Sequence, residues 1–185
     1  MNKYLHGELL DSRVSFLHTE QRNPDTVTIA DVSALEMVQM INKEDRKVAQ
    51  RVADALPTVA KAIDYIYPRM KQGGRMIYCA TGTSGRLGFM DAAECPPTYG
   101  VAMDRVTCLM AGGRDCVFKA DEMLEDNDSD AGRDLAAFGL APLDTVVAAA
   151  ASGRTPYAIG ALKYADEVGA GKVCIACNPN SEMGR

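Results

Sequence analysis

The chain has 185 residues, 47% hydrophobic and 24% charged, with 20 Lys and Arg against 25 Asp and Glu for a formal net charge of −5. That length and apolar fraction suit one well-buried α/β domain, and the acidic balance excludes a broad nucleic-acid surface, which needs accumulated Lys and Arg. No stretch approaches the roughly 18 consecutive apolar residues of a membrane span, and residues 1–8 lack the apolar core of a signal peptide, so the chain reads as cytoplasmic, without a nucleic-acid or membrane partner.

Residues 1–18 have weak periodicity, hold both histidines, His6 and His18, and read as an N-terminal arm. Residues 19–72 form a helical segment. Its first part, Thr19 to Asp25, is polar, and Leu35, Met37, Val38, Met40 and Ile41 then recur at near-helical spacing behind Ser33, a residue suited to an N-cap. A second amphipathic stretch over 44–72 carries Val48, Val52, Leu56, Val59, Ile63 and Met70, with Pro57 expected to break it or open a fresh turn, and Gly73-Gly74 to end it. Its apolar side is fit to face a partner subunit as readily as the chain's own sheet.

Residues 73–185 read as one domain of alternating strands and helices. A short apolar run at 75–79 is the first buried strand, and it enters Ala80-Thr81-Gly82-Thr83-Ser84-Gly85-Arg86-Leu87-Gly88, with a helical pattern beginning at Leu87. That helix is expected to stop at Pro96-Pro97. Strand two spans 105–110, followed by Ala111-Gly112-Gly113. Residues 116–138 mix helical periodicity with an acidic run from Glu122 to Asp130, ordinarily a solvated surface. Strand three spans 144–150 and leads into Ala151-Ser152-Gly153-Arg154-Thr155-Pro156. A helix over 156–168, a turn at Gly169-Ala170-Gly171 and strand four through Cys177 complete the pattern, and Ser181 stands as the cap of one more helical turn.

Two of these turns carry chemistry. Strand, glycine turn and helix together make a phosphate cradle, because glycines at 82 and 85 allow positive φ and close approach while Thr83 and Ser84 set hydroxyls beside the unpaired N–H groups of a helix N-terminus. Such a turn can also serve only to reverse the chain. The second turn repeats the pattern with Ser152, Gly153, Arg154 and Thr155, which places two hydroxyl-rich, arginine-bearing turns on the carboxyl edge of a parallel sheet, where open α/β folds bind ligands. Neither carries a Walker A lysine or a dinucleotide glycine spacing. Phosphate with hydroxyls nearby points to a phosphosugar. Cys79, Cys108, Cys174 and Cys177 sit in strand-like runs and read as free buried thiols, and the 174/177 pair has no second CxxC or neighbouring histidine to make a zinc site.

In order along residues 19–185, Thr19-Glu20-Gln21-Arg22-Asn23-Pro24, Gly82-Thr83-Ser84-Gly85-Arg86-Leu87-Gly88, Glu94-Cys95-Pro96-Pro97-Thr98, Ala111-Gly112-Gly113, Ala151-Ser152-Gly153-Arg154-Thr155-Pro156-Tyr157 and Cys177-Asn178-Pro179 resemble the N-acetylmuramic acid 6-phosphate etherases, sugar-isomerase (SIS) domain proteins. The resemblance implies a three-layer α/β/α, flavodoxin-like parallel sheet, a homodimer, and cofactor-free and metal-free removal of D-lactate from a phosphorylated amino sugar in peptidoglycan recycling. It assigns Glu94 as the proton-donating catalytic glutamate, Glu125 as the second catalytic glutamate, and the phosphate to Gly82, Thr83, Ser84 and Gly85 with Ser152, Gly153, Arg154 and Thr155. Read without it, Glu94 is a surface helix residue and Glu125 a solvated charge. The chain departs from the pattern at Ala80-Thr81, where Gly-Ala is usual, and at Arg114-Asp115, where a Glu is common. The family continues beyond the point where this sequence stops, so the sheet is expected to lack a final strand. A phosphosugar-sensing module like the glucokinase regulatory protein is the rival reading. An aldose–ketose isomerase is a weaker one, since no histidine lies near the turns.

Overall fold

A computed structural model describes residues 17–119 and 128–185. The chain divides into two compact units, Met1–Lys61 and Ala62–Arg185. In the first, the polar stretch that holds three-residue helical turns at His18–Glu20 and Pro24–Thr26 is tied down by side chains. Asn23 accepts from the Asp25 amide at 2.9 Å and donates to Glu44 at 2.9 Å, and Lys47 pairs with Asp25 at 2.7 Å.

Helix α1 (Ala34–Lys71) opens on a capping box: the Glu36 carboxylate accepts from the Ser33 amide at 2.9 Å and hydroxyl at 2.6 Å, while the Ser33 hydroxyl accepts the Glu36 amide at 3.4 Å. The two helical stretches expected here are one helix. Asn42, Lys43 and Glu44 between them contain no breaker, and Pro57 removes a single backbone hydrogen bond from a long helix instead of ending it. Val48, Val52, Leu56, Val59 and Ile63 remain exposed along it.

The second unit holds a four-stranded parallel sheet, β1 (Met76–Ala80), β2 (Val106–Met110), β3 (Thr145–Ala149) and β4 (Gly171–Ile175), in the order β2-β1-β3-β4. Strand pleating separates its faces. Ile77, Cys79 and Val146 point into the main core with Leu135 of α4 (Asp128–Phe138) and Tyr157, Ala161 and Ala165 of α5 (Pro156–Val168). Each such fully buried large aliphatic side chain contributes on the order of 1.5–3 kcal/mol. Tyr78 and Cys108 point to the other face, covered over β1 and β2 by α2 (Gly82–Tyr99). Its close seating is what glycine permits: a Cβ on Gly88 would lie 3.0 Å from both Cys108 Sγ and Tyr78 Cβ, and one on Gly85 2.9 Å from Met110. Gly82 has positive φ as expected, whereas Gly85 does not, and its missing side chain serves packing.

Three local expectations are corrected. Helix α2 starts at Gly82, five residues before Leu87, so the cradle is itself the first turn. The helix also runs through Pro96 and Pro97 to Tyr99 and ends only at left-handed Gly100, the prolines costing it just the N–H groups of its last turn. Cys79 and Cys108 are buried, with burial raising Cys79 well above its ordinary value and Cys108 to about 12, but Cys174 and Cys177 are exposed. Strand β4 pairs on one side only among the described residues, and Cys177 lies beyond its end.

The opposite end of the sheet is locked by Asp144. This buried carboxylate accepts from the Arg75 amide at 2.8 Å, the Arg75 guanidinium at 2.6–3.2 Å and the Ala141 amide at 2.9 Å, while Arg75 stacks 4.5 Å over Phe138. No helix among the described residues is long and apolar enough to cross a membrane.

Candidate functional site

Strand β1 has neighbours reached by connections on opposite faces: β2 through α2 on one, β3 through α4 on the other. The crevice between the carboxyl ends of β1 and β3 is therefore a topological switch point, the usual ligand position in such sheets. At its rim the Thr81 side chain makes no capping hydrogen bond to α2, and the first helical N–H with a backbone acceptor in that turn is Gly85, bonded to Thr81 O at 2.9 Å. The amides of the turn's leading residues, with the hydroxyls of exposed Thr83 and half-buried Ser84, thus face outward at the positive end of an 18-residue helix.

Beside this turn lies a cavity of about 880 Å³. Its wall on α2 is a single helical stripe of Thr83, Ser84, Leu87, Gly88, Asp91 and Glu94, and its floor is Tyr78 of β1 with the carboxyl ends of β3 and β4, Ala149 and Ile175 among them. The lining is apolar at its centre and polar at two places: hydroxyls and amides at one end of the stripe, carboxylates at the other. A second hollow, about 460 Å³, follows the outer edge of β4 and contains none of the expected site residues. The larger one holds the expected Thr83, Ser84 and Glu94.

The structure thus brings Thr83, Ser84 and Glu94 to one surface. It also adds two residues the sequence reading missed. The Tyr78 hydroxyl donates to Asp91 Oδ2 at 2.8 Å, and burial together with that bond holds the phenol well above its ordinary value, keeping it a donor. The spacing of Asp91 three residues before Glu94 was a usable signal for the carboxylate. A tyrosine inside a strand gave none.

The second turn is placed differently. Ala149, Ala150 and Ala151 line the cavity, but Ser152, Gly153, Arg154 and Thr155 lie just past its lining. Asn178 Nδ2 donates to the carbonyls of Ala151 and Ser152 at 3.4 and 3.2 Å, the Met183 amide donates to Gly153 O at 3.0 Å, and the Ser152 hydroxyl accepts from the Arg154 amide at 3.3 Å. Gly153 has φ 69 and so little room that a Cβ would fall 2.3 Å from that of Ser181. Arg86 does not face an anion: its Nε and Nη2 donate to the carbonyls of Val117 at 2.9 Å and Cys116 at 2.8 Å, clamping the short helix α3 (Asp115–Phe118). Glu125 lies outside the described residues.

Residues 58–166 match the glucokinase regulatory protein N-terminal SIS domain. The chain belongs to that SIS-domain family. Its sequence is also 51% identical over 169 residues to an N-acetylmuramic acid 6-phosphate etherase of Clostridium beijerinckii and 49% identical over 169 residues to that of Bacillus subtilis, in both cases covering 91% of this chain and 56% of the relative. The SIS chain therefore spans a little over half the length of these relatives. Among solved structures, phosphoheptose isomerase from Neisseria gonorrhoeae superposes with a TM-score of 0.65 at 17% identity, covering 82% of this chain and 79% of that one, and a phosphoheptose isomerase from Francisella tularensis does so with 0.65 at 14%. At such identities the likeness establishes the α/β SIS fold.

Proposed function

We propose that this SIS domain is the phosphosugar-binding and acid–base part of an N-acetylmuramic acid 6-phosphate etherase, a carbon–oxygen lyase of cytoplasmic amino-sugar recycling. The observation that carries this reading is the single cavity lined by Thr83, Ser84 and Glu94, in a chain half identical to etherases along most of its length. The phosphate is held by the amides of α2's first turn with Thr83 and Ser84, and Ser152, Gly153, Arg154 and Thr155 approach it from the second turn. A base removes the C2 proton of the open-chain sugar, Glu94 donates a proton to the ether oxygen as the C3–O bond breaks, and D-lactate leaves. Water then adds at C3 of the unsaturated aldehyde and a proton returns to C2, giving N-acetylglucosamine 6-phosphate with no redox change. Glu125 is the second proton-carrying group in this scheme, and the exposed apolar stripe of α1 is the face for a second copy of the chain.

The test is incubation with N-acetylmuramic acid 6-phosphate and measurement of D-lactate. Saturable binding without lactate release favours the rival reading, a sensing module, to which the family match with the glucokinase regulatory protein domain lends support.

Two further outcomes are expected. Charge-assisted hydrogen bonds contribute about 1.5–3 kcal/mol, so Ser84→Ala weakens N-acetylglucosamine 6-phosphate binding by roughly 10- to 100-fold and leaves the unphosphorylated sugar unaffected, with Ser152→Ala showing the same selectivity. Equal losses for both sugars in calorimetry would remove the phosphate contact. Exposed Cys177 lines the cavity while exposed Cys174 lines the β4-edge hollow. Bound phosphosugar therefore slows thiol labelling at Cys177 and leaves Cys174 unchanged; unprotected Cys177 would put the ligand elsewhere.

A further inference from the structure

Asp91 has no part in the scheme above, yet it lies on the cavity stripe between the hydroxyl end and Glu94. Along an α-helix each residue rises 1.5 Å, so Asp91 is about 4.5 Å nearer than Glu94 to the first turn, and helical side chains lean back toward the N-terminus. A phosphosugar anchored at that turn meets Asp91 first. One carboxylate oxygen, Oδ2, is already engaged by the Tyr78 hydroxyl at 2.8 Å, which fixes the group against the sheet and leaves Oδ1 as the acceptor available to a ligand.

From this placement we infer that Asp91 is a specificity-determining residue, accepting a hydrogen bond from a hydroxyl or acetamido N–H carried by the sugar, with Tyr78 as the residue that positions it. The inference rests on the phosphosugar reading of the cavity. A site that hydrogen-bonds a ligand N–H or O–H discriminates strongly against molecules lacking one. The carboxylate is acceptor-only and anionic, so its repulsion of an inorganic phosphate anion offsets any hydrogen bond from a P–O–H, and phosphate alone takes no affinity from it. The selectivity of the cavity for an amino-sugar phosphate over inorganic phosphate thus resides in Asp91, and affinity for phosphate itself in the first turn.

The test is binding of N-acetylglucosamine 6-phosphate and of inorganic phosphate to the whole chain and to Asp91→Ala. Asp91 is exposed on α2 and alanine is a strong helix former, so the fold is retained. The expected result is a 10- to 100-fold loss for the sugar phosphate with inorganic phosphate affinity unchanged, a smaller loss in Tyr78→Phe, and partial recovery in Asp91→Asn, which keeps an acceptor oxygen. Unchanged sugar phosphate affinity, or equal loss for both ligands, overturns the role of Asp91 while leaving the phosphosugar site standing. If the unaltered chain binds neither ligand, the phosphosugar reading fails and this inference with it.

Discussion

Glu94→Gln is expected to reduce D-lactate release from N-acetylmuramic acid 6-phosphate by about 10²- to 10⁴-fold, the usual contribution of a positioned general acid, while phosphosugar affinity stays within about twofold. Glutamine retains the shape and hydrogen-bonding reach of glutamate but cannot hand a proton to a departing oxygen. Because Glu94 is exposed on α2 and lines the cavity, the exchange leaves no buried group stranded and the thermal midpoint should not move. Activity and binding are therefore separable at this position. Undiminished lactate release would take Glu94 out of the mechanism, and a matching loss of affinity would make it a binding residue instead.

The largest effect on stability is expected at the other end of the sheet. Asp144→Ala removes the carboxylate that accepts from Arg75 and from the amides of residues 75 and 141, leaving a guanidinium with only the Gly139 carbonyl, at 2.7 Å, as its remaining described acceptor. Breaking a buried pair of this kind costs about 3 kcal/mol or more. Burial raises the Asp144 carboxyl, but the hydrogen bonds from the Arg75 side chain and from the Ala141 and Arg75 amides outweigh it and hold the group below the usual carboxylate range. A depressed folded value means the stabilisation is complete above the unfolded value near 3.9 and is lost as pH falls through the folded one. Urea unfolding should accordingly separate the variant from the parent chain at pH 7 and bring the two together in acid. Coincident midpoints at pH 7 would refute the lock, and ligand affinity should be the same in both because Asp144 is remote from the cavity.

The parts of the fold that were legible in the sequence are those decided by near neighbours. The Ser33 cap, the strand cores at 76–80, 106–110 and 145–149, helix α5 at Pro156–Val168 and its glycine end all follow from spacing within a few residues, because capping and helical or pleated periodicity are local interactions. The motif order also sufficed to indicate the SIS family that the sequence match establishes. Other features depend on partners far along the chain. Arg86 meets carbonyls 30 and 31 residues away, Tyr78 finds Asp91 across the strand–helix interface, and Arg75 finds Asp144 at a separation of 69.

By itself, then, the amino-acid order determined an alternating β/α chain with a hydroxyl-bearing turn capable of presenting amides to an anion. Only the tertiary structure decided that β3 lies beside β1, that α2 carries Thr83, Ser84, Asp91 and Glu94 along one cavity wall, and that residues 178–183 hydrogen-bond the second turn. The reason is that a backbone turn is specified by the torsional preferences and hydrogen-bonding groups of its own residues, whereas a cavity is defined by which surfaces of separate elements are left unpacked once the sheet has assembled.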